Sequence, residues 1–104
     1  ISGEHGPQYV RSTDVLYIEV QNHSLIYHTQ YSDLTATGTL KRVENQLAEE
    51  GFFRCNYCYL VNLRHVDFLD GNTVMVGGHP LQISRNRRKD FLQQMTGFYG
   101  KGGR

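Results

Sequence analysis

Cys55 and Cys58, the only cysteines of the chain, stand three residues apart in FFRCNYCYLVNL, residues 52–63. Such a pair can give two thiolates to a tetrahedral metal, or the two thiols of a redox couple. A zinc site normally takes four Cys or His ligands. The five histidines fall at positions 5, 23, 28, 65 and 79, and no second C-x2-C accompanies the first. His23 and His28 meet a ligand-pair spacing numerically, with four residues between them. Residues 22–29, however, read as a turn and a strand, not the helix that usually carries such ligands. The βαβ context of a thioredoxin-type motif is missing too. In one continuous strand over 52–61, residues three apart point to opposite faces. Cys55 and Cys58 then share neither a metal nor a disulfide, unless Asn56-Tyr57 breaks the strand. The favoured reading is two small structural side chains. No Ser/His/Asp set or carboxylate pair stands out, so no enzyme activity, catalytic residue, metal site or cofactor is expected.

A second constellation is electrostatic. In ISRNRRKDF, Arg85, Arg87, Arg88 and Lys89 put four of the eleven Lys and Arg residues within five positions. Ser84 is a good N-cap, so the spacing predicts a helix that opens on these cations. That end of a helix carries partial positive charge and prefers Asp or Glu by about 0.3–1 kcal/mol per side chain. Two readings fit. An anion such as phosphate sits opposite, held by backbone N–H groups and arginine forks; or the run is a solvated polar face partly offset by Asp90. The excess of Arg over Lys favours two-point contact to phosphate or guanine.

The bulk numbers bound the rest. With 104 residues the chain is the size of one domain. It has no apolar run long enough to span a bilayer and no apolar stretch resembling a signal peptide. It begins without methionine and reads as the C-terminal piece of a longer protein. Two cysteines are too few for a disulfide scaffold, so a cytoplasmic setting is expected. The net charge is only +1, but residues 1–50 carry 3 Lys/Arg against 7 Asp/Glu and residues 51–104 carry 8 against 3. That asymmetry fits an anionic partner for the second half.

The elements that position these residues are mostly strands. DVLYIEV (14–20) alternates, with Val15, Tyr17 and Glu19 on one face and Leu16, Ile18 and Val20 on the other. After a QNHS turn, SLIYHTQ (24–30) completes a hairpin, and YSDLTATG (31–38) adds a strand ending at Gly38. TLKRVENQLAEEG (39–51) changes period. Leu40, Val43, Leu47 and Ala48 share a stripe, Thr39 can cap and Gly51 can stop, which predicts an amphipathic helix of about three turns. Residues 52–63 return to strand. Residues 62–76 read as strand, Asp70-Gly71-Asn72 turn, strand. Gly77 to Pro80 read as a turn, LQIS (81–84) as a last short strand and 85–95 as a helix. TGFYGKGGR reads as a frayed tail. Short strands and tight turns imply antiparallel pairing. The expected fold is mainly β (α+β): elongated antiparallel sheets or a sandwich of about ten short strands, with one central and one C-terminal short helix.

Four segments, in order, resemble the LytTR-type DNA-binding domains of bacterial response regulators: VLYIEVQNHSLIYHT, TLKRVENQL, GFFRCNYCYLVNLRHV and LQISRNRRKDF. The resemblance covers roughly Asp14 to Met95, within a single domain core of about 8–96 and a flexible tail at 97–104. It implies a mostly antiparallel fold that reads double-stranded DNA through loops in successive major grooves, commonly at direct repeats. By position it places the first-loop histidine on His23, the middle contacts on Asn56 and Tyr57, and the last on Arg85, Asn86 and Arg87. Arg88 and Lys89 become phosphate neighbours. It also implies an upstream receiver domain in the full-length protein, acting in a two-component phosphorelay and controlling dimerisation; with no obvious dimer stripe in the sequence, the isolated domain is expected to be a monomer that dimerises on DNA or through the receiver. The middle loop departs from the family pattern, which often has His, then Arg, Lys or Asn, then Ser; here Asn56, Tyr57 and Cys58 stand there, and a cationic contact is lost. Some relatives carry a cysteine at the Cys55 position, which leaves a redox role open.

Each residue also has a plainer reading. His23 can be a polar hairpin residue, Asn62 a turn-shaping side chain bonded to backbone, and Arg54 a structural ion-pair partner. Two other functions stand beside DNA reading: a β module binding a protein or an anionic ligand, and a small Cys/His metal or redox-sensing domain.

Overall fold

The computed structural model describes residues 2–3, 6–7 and 10–100. β1 (Ser2–Gly3) and β2 (Gly6–Pro7) form a small ribbon. β3 (Val15–Gln21), β4 (Ser24–Thr29) and β5 (Asp33–Thr37) form a meander. α1 (Leu40–Gln46) and a short 3-10 turn lead to the hairpin β6 (Phe52–Asn56) and β7 (Tyr59–Asn62). The chain continues through β8 (Val66–Asp70), β9 (Thr73–Val76), β10 (His79–Gln82), a 3-10 turn at Arg85–Arg87 and α2 (Arg88–Gly100). The strands form a five-stranded sheet ordered β5-β4-β3-β7-β6 and a three-stranded sheet ordered β10-β9-β8. Every strand pair is antiparallel. The long axis is 37 Å against 28 and 25 Å. The mainly β antiparallel fold with two helices is therefore the one the residue pattern predicts. No helix of the described residues is long and apolar enough to cross a membrane.

The five-stranded sheet is the middle layer. On one face Val15, Ile18, Leu25, Phe52 and Leu60 pack against Leu40 and Val43 of α1. On the other, Tyr17, Cys55 and Val61 meet Val74, Leu81 and Phe91, from the smaller sheet and α2. β3 departs from simple alternation. Its register shifts between Val15 and Tyr17, and the extra residue flips the parity of the rest of the strand. Leu16 and Tyr17 thus share one core, while Val15 joins Ile18 in the other. The expected grouping of Val15 with Tyr17, and of Leu16 with Ile18, is overturned by this bulge.

Other boundaries shift for local reasons. Thr39 caps α1, its Oγ1 accepting from Arg42 N at 3.2 Å. The helix has only seven residues, because Glu50 N bonds Leu47 O in a tightened 3-10 turn. Gly51 then reverses the chain at φ 84°. Ala48 consequently leaves the stripe and is exposed. The run 52–63 is a hairpin and not one strand, with Tyr57-Cys58 as its turn. His79 and Pro80 lie in β10 rather than in a turn. α2 continues through Thr96–Gly100, part of the stretch expected to fray. Phe98 lies against Gly51, where an added Cβ would fall 2.7 Å from its ring. The Tyr99 hydroxyl donates to Leu63 O at 3.1 Å. Burial of this aromatic end extends the helix beyond what its glycines suggest. Residues 101–104 of the expected tail lie outside the described residues.

Asn62 ties the chain entry to the hairpin. It is 1% exposed, donates to Ser12 O at 3.1 Å and Val15 O at 2.8 Å, and accepts from Arg64 N at 3.2 Å. This is the backbone-bonding role expected for it. Replacing it with alanine strands buried carbonyls, at about 1–3 kcal/mol for each group left unpaired. Asn62→Ala is expected to lower the urea midpoint by a corresponding amount without changing the slope of the transition.

Candidate nucleic-acid interface

Strand register brings three segments to one end of the five-stranded sheet. Gln21 pairs with Ser24, so Asn22-His23 is a two-residue turn, with Asn22 at φ 56°. Glu19 pairs with Tyr59, and Val20 N donates to Cys58 O at 2.9 Å. The Tyr57-Cys58 turn therefore lies at the same end as Asn22-His23. Ser84 N donates to Cys55 O at 2.8 Å, which draws the closing segment alongside.

At that end the expected contact residues are in different states. His23, Arg85, Asn86 and Lys89 are exposed, and Tyr57 is 76% exposed at the tip of its turn. Asn56 is half-buried and already engaged. Its Oδ1 accepts from Cys58 N at 2.7 Å and Tyr59 N at 3.1 Å, while Nδ2 donates to Gln82 O. Its side chain thus builds the turn that lifts Tyr57. Arg87 and Arg88 are half-buried, and each donates to a backbone carbonyl: Arg87 Nη1 to Arg54 O at 3.3 Å, Arg88 Nε to Gly71 O at 2.9 Å. Among the described residues, Arg85 and Lys89 have no such bond.

Ser84 does not cap with its side chain. Its carbonyl accepts from Arg87 N at 2.9 Å, and a 3-10 turn precedes α2. Of the four cations, only Arg88 and Lys89 stand in the first turn of α2, with Asp90 beside them. The conflict between cations and the helix end is thereby smaller than a helix starting at Arg85 would create.

Sequence reasoning missed Lys41. It borders an open groove with His23 and Arg54. Its place in the first turn after the Thr39 cap, level with the meander's end, was the available signal. Arg54 ion-pairs with Glu44 at 3.5 Å, the structural role expected for it. A separate cluster lies along β3 and β4, away from the turns. The His28 ring stacks on Tyr17 at 4.2 Å and faces the carboxylates of Glu19 at 2.8 Å and Asp33 at 3.0 Å.

Residues 8–96 match the family model described as the LytTr DNA-binding domain. The chain belongs to the LytTr DNA-binding domain family. Among solved structures it is similar to the LytTr DNA-binding domain of a Bacillus cereus protein described as a methyl-accepting/DNA response regulator. The TM-score is 0.78 at 20% identity, covering 88% of this chain and 90% of that one. At this identity the likeness concerns the fold. No curated protein matches.

In this LytTr domain both cysteines are free thiols. Cys55 is fully buried between the sheets, and Sγ donates to Gln82 O at 3.6 Å. Burial pushes its thiol up to about 12. Such a thiol stays protonated at neutral pH, and the thiolate is the reactive form. The hairpin turn removes the opposite-face objection to a pairing, but Cys58 is only half-buried while Cys55 lies in the core. Among the described residues, no three His, Cys, Asp or Glu side chains group closely enough to hold a metal ion.

Burial likewise pushes the Tyr17 phenol up to about 12, with Glu19 adding to the effect. For both groups the folded chain holds its proton to higher pH than the unfolded chain. Their contribution to stability is therefore full below pH 9 and lost as pH rises from 9 towards 12. The urea midpoint is expected to fall across that window, and to fall less in Cys55→Ala. Alkylation of the native domain at pH 8 should mark Cys58 and spare Cys55 until denaturant is added.

Proposed function

We propose that this LytTr domain reads double-stranded DNA by inserting its turns into the major groove, as the transcription-regulating output of a response regulator. The supporting observation is the gathering of exposed His23, Tyr57 and Arg85 at one end of a sheet in a chain of this family. Three side chains of different chemistry on a shared rigid base suit sequence reading. Phosphate contacts alone carry no sequence information.

The roles follow from the chemistry. Arg85 offers a two-point fork to guanine O6 and N7. His23 presents an imidazole on a tight turn. Tyr57 offers a hydroxyl to a phosphate or base edge, and a ring face to a thymine methyl. Asn86 stands beside Arg85, its amide without a hydrogen-bond partner among the described residues. Lys89 and Lys41 are placed for phosphate. Asn56, Arg87 and Arg88 act from behind, holding the loops in shape. Direct repeats as target, an upstream receiver and dimerisation on DNA complete the reading. A net charge of +1 implies few phosphate contacts and modest affinity for one domain.

Selection of bound duplexes from a random pool is the test, with Arg85→Ala, His23→Ala and Tyr57→Ala beside the parent. The parent should enrich a defined site. Each substitution should relax one position of it and weaken binding by about 1–3 kcal/mol, roughly 5- to 150-fold. Arg87→Ala should instead lower thermal stability along with affinity. Binding that follows salt alone and enriches nothing would defeat the reading.

A further inference from the structure

We propose that Arg54 is a positioning residue whose side chain fixes the Tyr57 turn on the backbone frame that residues 54–56 share with the closing segment, so that Tyr57 and Arg85 engage DNA together. This rests on the DNA-reading function above.

Arg54 holds three parts of the chain at once. Its Nη1 faces Glu44 Oε1 of α1 at 3.5 Å, and its Nη2 donates to Tyr57 O at 3.0 Å. Its own carbonyl accepts from Arg87 Nη1 at 3.3 Å. The side chain is only 17% exposed, and its Nε is buried without a partner among the described residues. A buried cation with an unmet donor is destabilising on its own account. The geometry around it explains what it does at that position. The next two residues grip the closing segment as well, Cys55 O accepting from Ser84 N and Asn56 Nδ2 donating to Gln82 O. Residues 54–56 thus bind the backbone at 82 and 84 and the side chain of Arg87, while the Arg54 side chain holds the tip carbonyl behind Tyr57.

The two-point fork is what lysine cannot supply. Guanidinium spans Glu44 and the Tyr57 carbonyl in one plane, whereas an ammonium is a point charge on a flexible stem. With the tip carbonyl bonded, the Tyr57 turn has less freedom to lose on binding. Contacts carried by one rigid body are made and lost together, so their energies are coupled.

The test is a double-substitution cycle on the selected duplex, using Tyr57→Ala, Arg85→Ala and the pair, in the parent and in Arg54→Lys and Arg54→Met. In the parent, the pair should lose less affinity than the product of the single losses, by roughly 2- to 10-fold. In both Arg54 variants the backbone bonds to the closing segment remain but the Tyr57 tip is released, so the coupling should shrink and base preference under Tyr57 should broaden. The dependence of binding on salt should keep the parent's slope, because Arg54 faces protein and not phosphate. Melting curves check folding. Should Arg54→Met not fold, Glu44→Gln keeps the fork on Tyr57 while weakening its anchor, and should reduce the coupling. A slope shallower by about one in Arg54→Met, with base preference intact, would make Arg54 a phosphate contact and overturn the proposal. Unchanged coupling in Arg54→Lys would also overturn it. A parent that enriches no sequence would fail the DNA-reading function itself, a result distinct from either.

Discussion

β3 is hydrogen-bonded along both edges, to β4 and to β7, and the first four of its seven residues are buried. The placement of the Asn22-His23 and Tyr57-Cys58 turns depends on that double pairing. Antiparallel register from β3 to β4 fixes where the Asn22-His23 turn emerges. Register from β3 to β7 fixes where the Tyr57-Cys58 turn emerges. Because β3 is common to both, the two turns leave the sheet at one end, and the Val20 to Cys58 bond seals them together. A one-residue slip on either edge would send a buried face to solvent and move a turn along with it. The two cores guard against such slips, since Ile18 is fully buried on one side and Tyr17 nearly so on the other.

The sequence was most legible where local chemistry and burial agree. The 15–29 hairpin, the Thr39 cap, the Gly51 stop and the Asp70-Gly71-Asn72 turn all follow from residue types that suit one backbone conformation. It was least legible where a long-range contact decides. Nothing in DVLYIEV announces a bulge; Leu16 is turned inward by the second sheet and by Gly77, beside which it lies. FFRCNYCYLVNL reads as one strand because its apolar residues run on. The Asn56 amide breaks it by bonding the amides of Cys58 and Tyr59, an alternative to the ladder that short polar side chains offer. At the C-terminus, Gly97 and Gly100 argued for fraying, yet Phe98 packs on the core, Tyr99 bonds Leu63 O, and the helix is carried with them.

The basic run was legible as charge but not as geometry. Four cations in five positions suggested four contacts to an anion. The fold commits two of them to carbonyls, Arg87 to Arg54 and Arg88 to Gly71. Arginine is suited to both uses, because its fork satisfies a backbone oxygen as readily as a phosphate. Counting basic residues therefore overstates the charge offered to a partner. What remains, Arg85 and Lys89, is a small charge set defined in placement rather than a broad cationic face.

The middle turn carries the same lesson at the level of a single amide. Asn has two N–H donors and a carbonyl that accepts twice. In Asn56 the carbonyl is filled by two backbone amides and one donor is taken by Gln82 O. A two-point contact to adenine needs both a donor and an acceptor, and in Asn56 the acceptor is engaged by the turn itself. The ring of the neighbouring Tyr57 stands clear of the fold while its carbonyl is bonded by Arg54. Asn56 bonds the two amides that follow Tyr57 and Arg54 bonds the Tyr57 carbonyl, so the backbone of the turn is constrained while the Tyr57 ring is left free of it.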